Sequence, residues 1–245
     1  MRNIMLTIEY DGTKYQGWSR HGNEGAFNTV SGKILEVIKK MVGRDDVELH
    51  SGVRTGVGVH AYAQVANFKT VSNLPLEDMK HYMNKYLPMD IAITSAKEVP
   101  ERFHAKLNAT SKTYLYHLTY GDEPGVFDRK HTAFSFKEPD KELIRSAAMK
   151  IVGKHDFHNF SSGKSHRSDL VEVYEIEVYG DDDELYILIH ADEFLHNMVR
   201  IIVGTLLDIG VGNRPISDIP EIFKGSLEAS APCDPKGLFL QEITY

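Results

Sequence analysis

The sequence predicts an α+β fold of two similar halves, each a mostly antiparallel sheet backed by helices. Three observations carry this. Apolar runs of period two alternate with runs of helical period in the order strand, helix, strands, helix, strand, and a comparable set then follows. The stretch 100–108 reads as a join, giving halves at 1–108 and 109–245. At 245 residues with 42% hydrophobic content, the chain has ample material for a substantial core. No internal repeat is visible at the residue level.

The elements follow in order. Residues 4–10 alternate as a strand, and Asp11-Gly12 supplies its turn. Gly12, Tyr15, Gly17 and Trp18 form a compact glycine-aromatic stretch. Asn28 or Thr29 caps a helix with Val30, Ile34, Val37, Ile38 and Met41 on one face and Lys33, Glu36, Lys39 and Lys40 on the other. Residues 51–61 form a loop in which Gly52, Gly56 and Gly58 alternate with Arg54, Thr55 and His60, and 61–68 is a buried strand. A helix over 76–87 and a strand over 91–99 complete the first set.

In the second set, 111–120 is a strong strand with Tyr114, Tyr116 and Leu118 on one side, and 122–139 is loop-rich. Leu143, Ala147 and Ile151 place a helix over 141–152. Two strands flank the acidic turn Asp181-Asp182-Asp183-Glu184 as a hairpin, with Ile176 and Val178 before it and Leu185, Ile187 and Ile189 after it. Residues 194–209 are apolar around nearly the whole circumference, which marks a core helix, and Gly210 and Gly212 end it. A short helix over 216–223 and a closing strand over 238–245 finish the chain.

Composition narrows the class. No apolar run approaches the roughly 20 residues needed to span a bilayer, so no membrane partner is expected. The N-terminus lacks the features of a signal peptide. A single cysteine, Cys233, excludes an intramolecular disulfide and suits a reducing, cytoplasmic compartment. The net charge of −7 argues against indiscriminate coating of nucleic acid, though not against a local basic cleft. On its residues alone, the 51–61 loop is either a tight turn feeding a strand or a contact for an anion or nucleic acid, because glycine lets backbone and cation approach a ligand closely. His155 and His158 have a spacing that zinc can use, but no cysteine stands nearby, so no metal is expected. The loop 161–166 lacks the Gly-x-x-x-x-Gly-Lys pattern of a nucleotide P-loop.

Arg54, Thr55, Gly58, Val59 and His60 match the Gly-Arg-Thr-Asp-Ala-Gly-Val-His loop of the TruA-type tRNA pseudouridine synthases, which the chain resembles. The family's catalytic aspartate falls on Gly56, its preceding glycine on Val53 and its following alanine on Val57. The resemblance spans almost the whole chain. It includes Ile8-Glu9-Tyr10-Asp11-Gly12-Thr13 through Gly17-Trp18, Asn28-Thr29-Val30, Phe103-His104-Ala105 and Lys112-Thr113-Tyr114-Leu115-Tyr116. Further on it includes Phe194-Leu195-His196-Asn197-Met198-Val199-Arg200, Ala231-Pro232 and Gly237-Leu238-Phe239-Leu240.

The resemblance implies two pseudo-symmetric halves with a cleft between them. It implies a homodimer, with pairing to an active paralogue as the alternative, a tRNA anticodon stem-loop as partner and no cofactor. It also implies that Tyr114 stacks on the target base, that Arg54 and Arg200 serve the catalytic position, and that Lys112, Thr55, His60 and Leu238 line the substrate. Glycine carries no carboxylate for the covalent step, and neither Thr55 nor His60 is expected to replace it. The expected protein is therefore an RNA binder with an impaired isomerase step. An active synthase with another nucleophile and a protein-interaction partner remain the alternatives.

Two finer expectations follow. Arg200, which in the family pairs with the missing aspartate, should be answered by Asp192 or Glu193, where the family has a glycine-rich step. The altered flanks Val53 and Val57 should have reshaped the loop enough that Gly56→Asp alone does not restore activity.

Overall fold

Ile4, Leu6 and Ile8, spaced by two, are fully buried on one face of strand β1 (Arg2–Tyr10). The computed structural model describes residues 1–19, 28–163 and 169–245. The chain divides into one unit of Met1–Thr110 with Phe239–Tyr245 and a second of Ser111–Leu238.

In the first unit β1 runs antiparallel between β3 (His60–Thr70) and β4 (Ile91–Val99). The other edge of β3 carries the short β2 (Leu49–Ser51), antiparallel, and β10 (Leu238–Thr244), parallel with Phe239 opposite His60. Helix α1 (Val30–Val42) starts where the Thr29 hydroxyl accepts the Gly32 N–H at 3.1 Å, and it ends at Gly43 in the left-handed region. It buries Val30, Ile34, Val37 and Ile38 and packs on α2 (Leu76–Tyr86), whose Met79 and Met83 are fully buried.

In the second unit β5 (Ser111–Tyr120) pairs antiparallel with β9 (Glu184–Ala191), β9 with β8 (Leu170–Tyr179), and β8 with β7 (Gly153–Asp156). Helix α3 (Lys141–Ala148) packs on β8, α4 (Met198–Gly210) on α3, and the short α5 (Asp218–Phe223) on the single turn at His158–Phe160. The apolar circumference of α4 is accounted for: Met198, Val199, Ile201, Ile202, Val203, Leu206 and Ile209 are all buried. The architecture is the α+β one expected, with mostly antiparallel sheet.

The short strands β2 and β7 were not foreseen, and four further details differ from the sequence reading. From Phe239 on, the closing strand belongs with the first unit, not with 109–245, and it pairs there with β3. The stretch 122–139 contains β6 (Ala133–Ser135), parallel to β5 at Leu118–Tyr120. Helix α3 stops at Ala148, and its buried face is Ile144, Ala147 and Ala148. Helix α4 begins at Met198 instead of 194, because Asn197 takes a φ of 60° that a right-handed helix cannot contain. No helix among the described residues is long and apolar enough to cross a membrane.

Candidate active-site loop and the Arg200 cluster

The glycine-aromatic stretch after β1 exists to hold the 53–60 loop. Gly17, at φ 84°, turns the chain so that the Trp18 N–H donates to the Thr55 carbonyl at 3.0 Å. A Cβ at Gly17 would lie 2.8 Å from that same oxygen. From β1, the Tyr10 hydroxyl is hydrogen-bonded to the Thr55 hydroxyl at 2.7 Å. Burial pushes the Tyr10 phenol well above its usual pKa, with hydrogen bonds from Thr55 and Gln64 opposing the shift, so it stays a neutral hydroxyl. Gln64 Nε2 donates to the Val53 carbonyl at 3.0 Å, and the Val59 N–H closes the turn on the Gly56 carbonyl at 3.3 Å.

His60 is 1% exposed. Its Nδ1 receives the Gly12 N–H at 3.1 Å and lies 3.2 Å from Asp11 Oδ1, and its ring stacks on Phe239 at 4.7 Å. Thr55 and His60 are thus both buried and committed to the frame of the loop. Arg54 and Gly56 are exposed at its tip.

Position 56 is open. A Cβ built there meets only Val59 Cγ2 at 3.9 Å, ordinary contact, and the backbone is not in the left-handed region. Val57 points largely to solvent at 61% exposure. With Val53 and Val57 in place, the loop thus has room for a Cβ at 56.

In the second unit Lys112, Tyr114 and Arg200 flank the segment that joins β9 to α4. Lys112 is 3% exposed, and its ammonium donates to Glu193 Oε1 at 2.7 Å. Tyr114 is 6% exposed and meets Phe194 edge-on, with centroids 5.1 Å apart. Asp192 Oδ1 accepts the backbone N–H groups of Glu172 and Glu193 at 3.0 and 2.7 Å.

Arg200 is not paired with either acid. Its Nε donates to the Cys233 carbonyl at 2.8 Å and its Nη1 to Asn197 Oδ1 at 3.4 Å, while the Cys233 N–H returns to the Arg200 carbonyl at 3.0 Å. Among the described residues no carboxylate lies within ion-pair distance of it, so the expected replacement by Asp192 or Glu193 is overturned. The reason is the late start of α4. Glu193 precedes the helix by five residues, so helical spacing never brings it to Arg200, and both acidic side chains are engaged elsewhere. Beneath Arg200, burial pushes the Cys233 thiol up to about 12, so it is a neutral partner of the Tyr116 hydroxyl. Leu238 is buried where β10 begins.

The remaining motifs resolve into packing. His155 stacks on Phe223 at 4.7 Å, whereas His158 Nδ1 meets Asp169 Oδ2 at 2.9 Å, so the two histidines serve separate contacts. In the 161–166 loop, Lys164, Ser165 and His166 lie outside the described residues. Sequence reasoning missed Tyr10, Trp18 and Gln64 as supports of the loop, and Asn197 and the Cys233 backbone as partners of Arg200. An asparagine placed just before an apolar helix was the one available signal for the second set.

The family described as tRNA pseudouridine synthase matches residues 6–108 and 147–245. The chain is 40% identical over 248 residues to tRNA pseudouridine synthase A 2 of Bacillus anthracis, covering all of both chains. The corresponding protein of Clostridium perfringens (strain 13 / Type A) is also 40% identical over the full length of both. Among solved structures, a Cbf5–Nop10–Gar1 complex matches with a TM-score of 0.42 and 12% identity, covering 97% of this chain and 48% of that one.

Proposed function

We propose that this chain, which belongs to the tRNA pseudouridine synthase family, is a member that binds the anticodon stem-loop of tRNA and lacks an effective isomerase step. The resemblance puts Gly56 at the family's nucleophile position, and the observation that supports the reading is that Thr55 and His60, beside it in the loop, are both engaged in holding the loop. Pseudouridine formation breaks the glycosidic C–N bond and joins C5 to the ribose, and the family's aspartate makes the covalent species that divides this into easier steps. A threonine hydroxyl needs an adjacent base to attack. Thr55 instead spends its hydroxyl on Tyr10, and His60 faces Gly12 and Asp11 from inside the protein.

RNA binding is supported by the exposed Arg54, by Arg200 with no carboxylate partner among the described residues, and by full-length relatives named for tRNA modification. Those relatives also disfavour a protein-only interaction role. A homodimer in a cytoplasmic setting completes the reading.

The test pairs a mass-spectrometric pseudouridine assay on a tRNA anticodon stem-loop with a binding titration. The wild-type chain is expected to give no product above background and to bind with an affinity that falls as salt rises, since phosphate contacts release counterions. Turnover by the wild-type chain overturns the loss of catalysis, and absence of binding at low salt overturns the RNA reading. Because position 56 accepts a side chain without strain, Gly56→Asp is expected to bring turnover above the wild-type background. A folded, RNA-binding Gly56→Asp with no turnover would place a second lesion elsewhere.

A further inference from the structure

We propose that Glu193 is an internal competitor for RNA phosphate at Lys112, an inference that rests on the RNA-binding reading above. Lys112 is fixed: it stands near the start of β5, opposite Ala191 on β9, and is 3% exposed. Glu193 is the movable partner. It lies on the irregular segment between β9 and α4, its side chain is 49% exposed, and it covers the ammonium at 2.7 Å. The same Oε1 also accepts the Phe194 N–H at 3.0 Å, so the carboxylate is seated by two donors. Phe194 in turn lies edge-on to Tyr114. The anion therefore sits one residue from the ring that covers the aromatic side chain proposed to meet the base.

A carboxylate and a phosphodiester present the same chemistry to an ammonium, a charged oxygen at hydrogen-bond distance, and only one of them can occupy that direct contact. RNA reaching Lys112 must displace Glu193. The chain thus carries its own anion where its nucleic-acid ligand places one, and its affinity is lowered by one phosphate contact.

The experiment is a fluorescence titration of a single-stranded-loop tRNA anticodon stem-loop across a salt series, with wild type, Glu193→Gln, Lys112→Gln and the double variant. One more phosphate contact steepens the slope of log K against log salt by about 0.7, which at 0.1 M salt corresponds to an affinity gain of about fivefold. Glu193→Gln is expected to show both. Lys112→Gln alone is the reference for the double variant, in which the gain from Glu193→Gln should vanish. Glu193→Gly, which removes the carboxylate altogether, should reproduce the gain, and thermal unfolding of each variant reports that it is folded.

A gain that survives Lys112→Gln reflects general charge and overturns the proposal. Binding by wild type with no gain in either Glu193 variant overturns it while leaving the RNA reading intact. No binding by any of the folded chains at the lowest salt overturns both together.

Discussion

Thr55 and His60 look in the sequence like a hydroxyl and an imidazole beside an arginine, which is the composition of a reactive loop. Their partners decide otherwise. Tyr10, Gly12 and Trp18, more than 35 residues earlier, take up the Thr55 hydroxyl, the His60 Nδ1 and the Thr55 carbonyl. Residue types in the loop were therefore legible, and their availability was not, because availability is set by contacts across long stretches of chain. Gly17 is the most sensitive point of this clamp. At φ 84° a side chain is strained, and its Cβ would press on the Thr55 oxygen at 2.8 Å. Gly17→Ala is expected to destabilise the protein by about 1–3 kcal/mol, read as a lower urea midpoint with an unchanged slope. A midpoint equal to that of the wild type would show that the loop is not held this way.

At the scale of elements, periodicity located every long strand and helix, yet it misplaced the start of α4 by four residues. The apolar run continues through Phe194 and Leu195 without a break, so no pattern of hydrophobicity marks the boundary. The left-handed Asn197 does mark it, and that is a backbone property. The error mattered, since the expected pairing of Glu193 with Arg200 depended on helical spacing. The short strands β2, β6 and β7 were missed because three or four residues become a strand only through their partner. Within α4, Gly204 sets two effects of opposite sign against each other. Alanine in a helix interior is favoured over glycine by about 1 kcal/mol. A Cβ at 204, however, would sit 2.3 Å from the Ala231 carbonyl oxygen, and the 230–233 segment is tied to the helix by Ser230 and Cys233. The clash is with backbone, which cannot swing aside as a side chain can, and overpacking of this kind costs about 1–3 kcal/mol. Gly204→Ala is thus expected to lower the melting temperature. A rise would mean that the 230–233 segment yields easily and that the Arg200–Cys233 contact is loose.

On the scale of the whole chain, the sequence reading divided 1–108 from 109–245, and the last seven residues cross that division. Their final strand is apolar and short, and nothing in its own composition says which sheet it joins. Its partner is β3, where Phe239 stands opposite His60 and Leu240 opposite Ala61. Phe239 also stacks between His60 and Tyr62, with centroids at 4.7 and 4.9 Å. Further along, the Thr244 carbonyl accepts the Thr110 N–H at 2.9 Å, and the Tyr245 hydroxyl donates to the Ala105 carbonyl at 2.9 Å. The strand that ends the chain therefore closes the unit that begins it and backs the His60 end of the candidate loop. Removing 239–245 strips an edge from β3, unpairs these backbone groups and exposes the face of His60, while the β5–β9, β9–β8 and β8–β7 ladders are left whole. The truncated chain is expected to lose protection in the first unit ahead of the second. In limited proteolysis followed by mass spectrometry, early cuts should fall within 1–110 and a fragment spanning 111–238 should persist. Cleavage that begins equally in both units would show that the closing strand stabilises the protein as one cooperative body, not through the first unit.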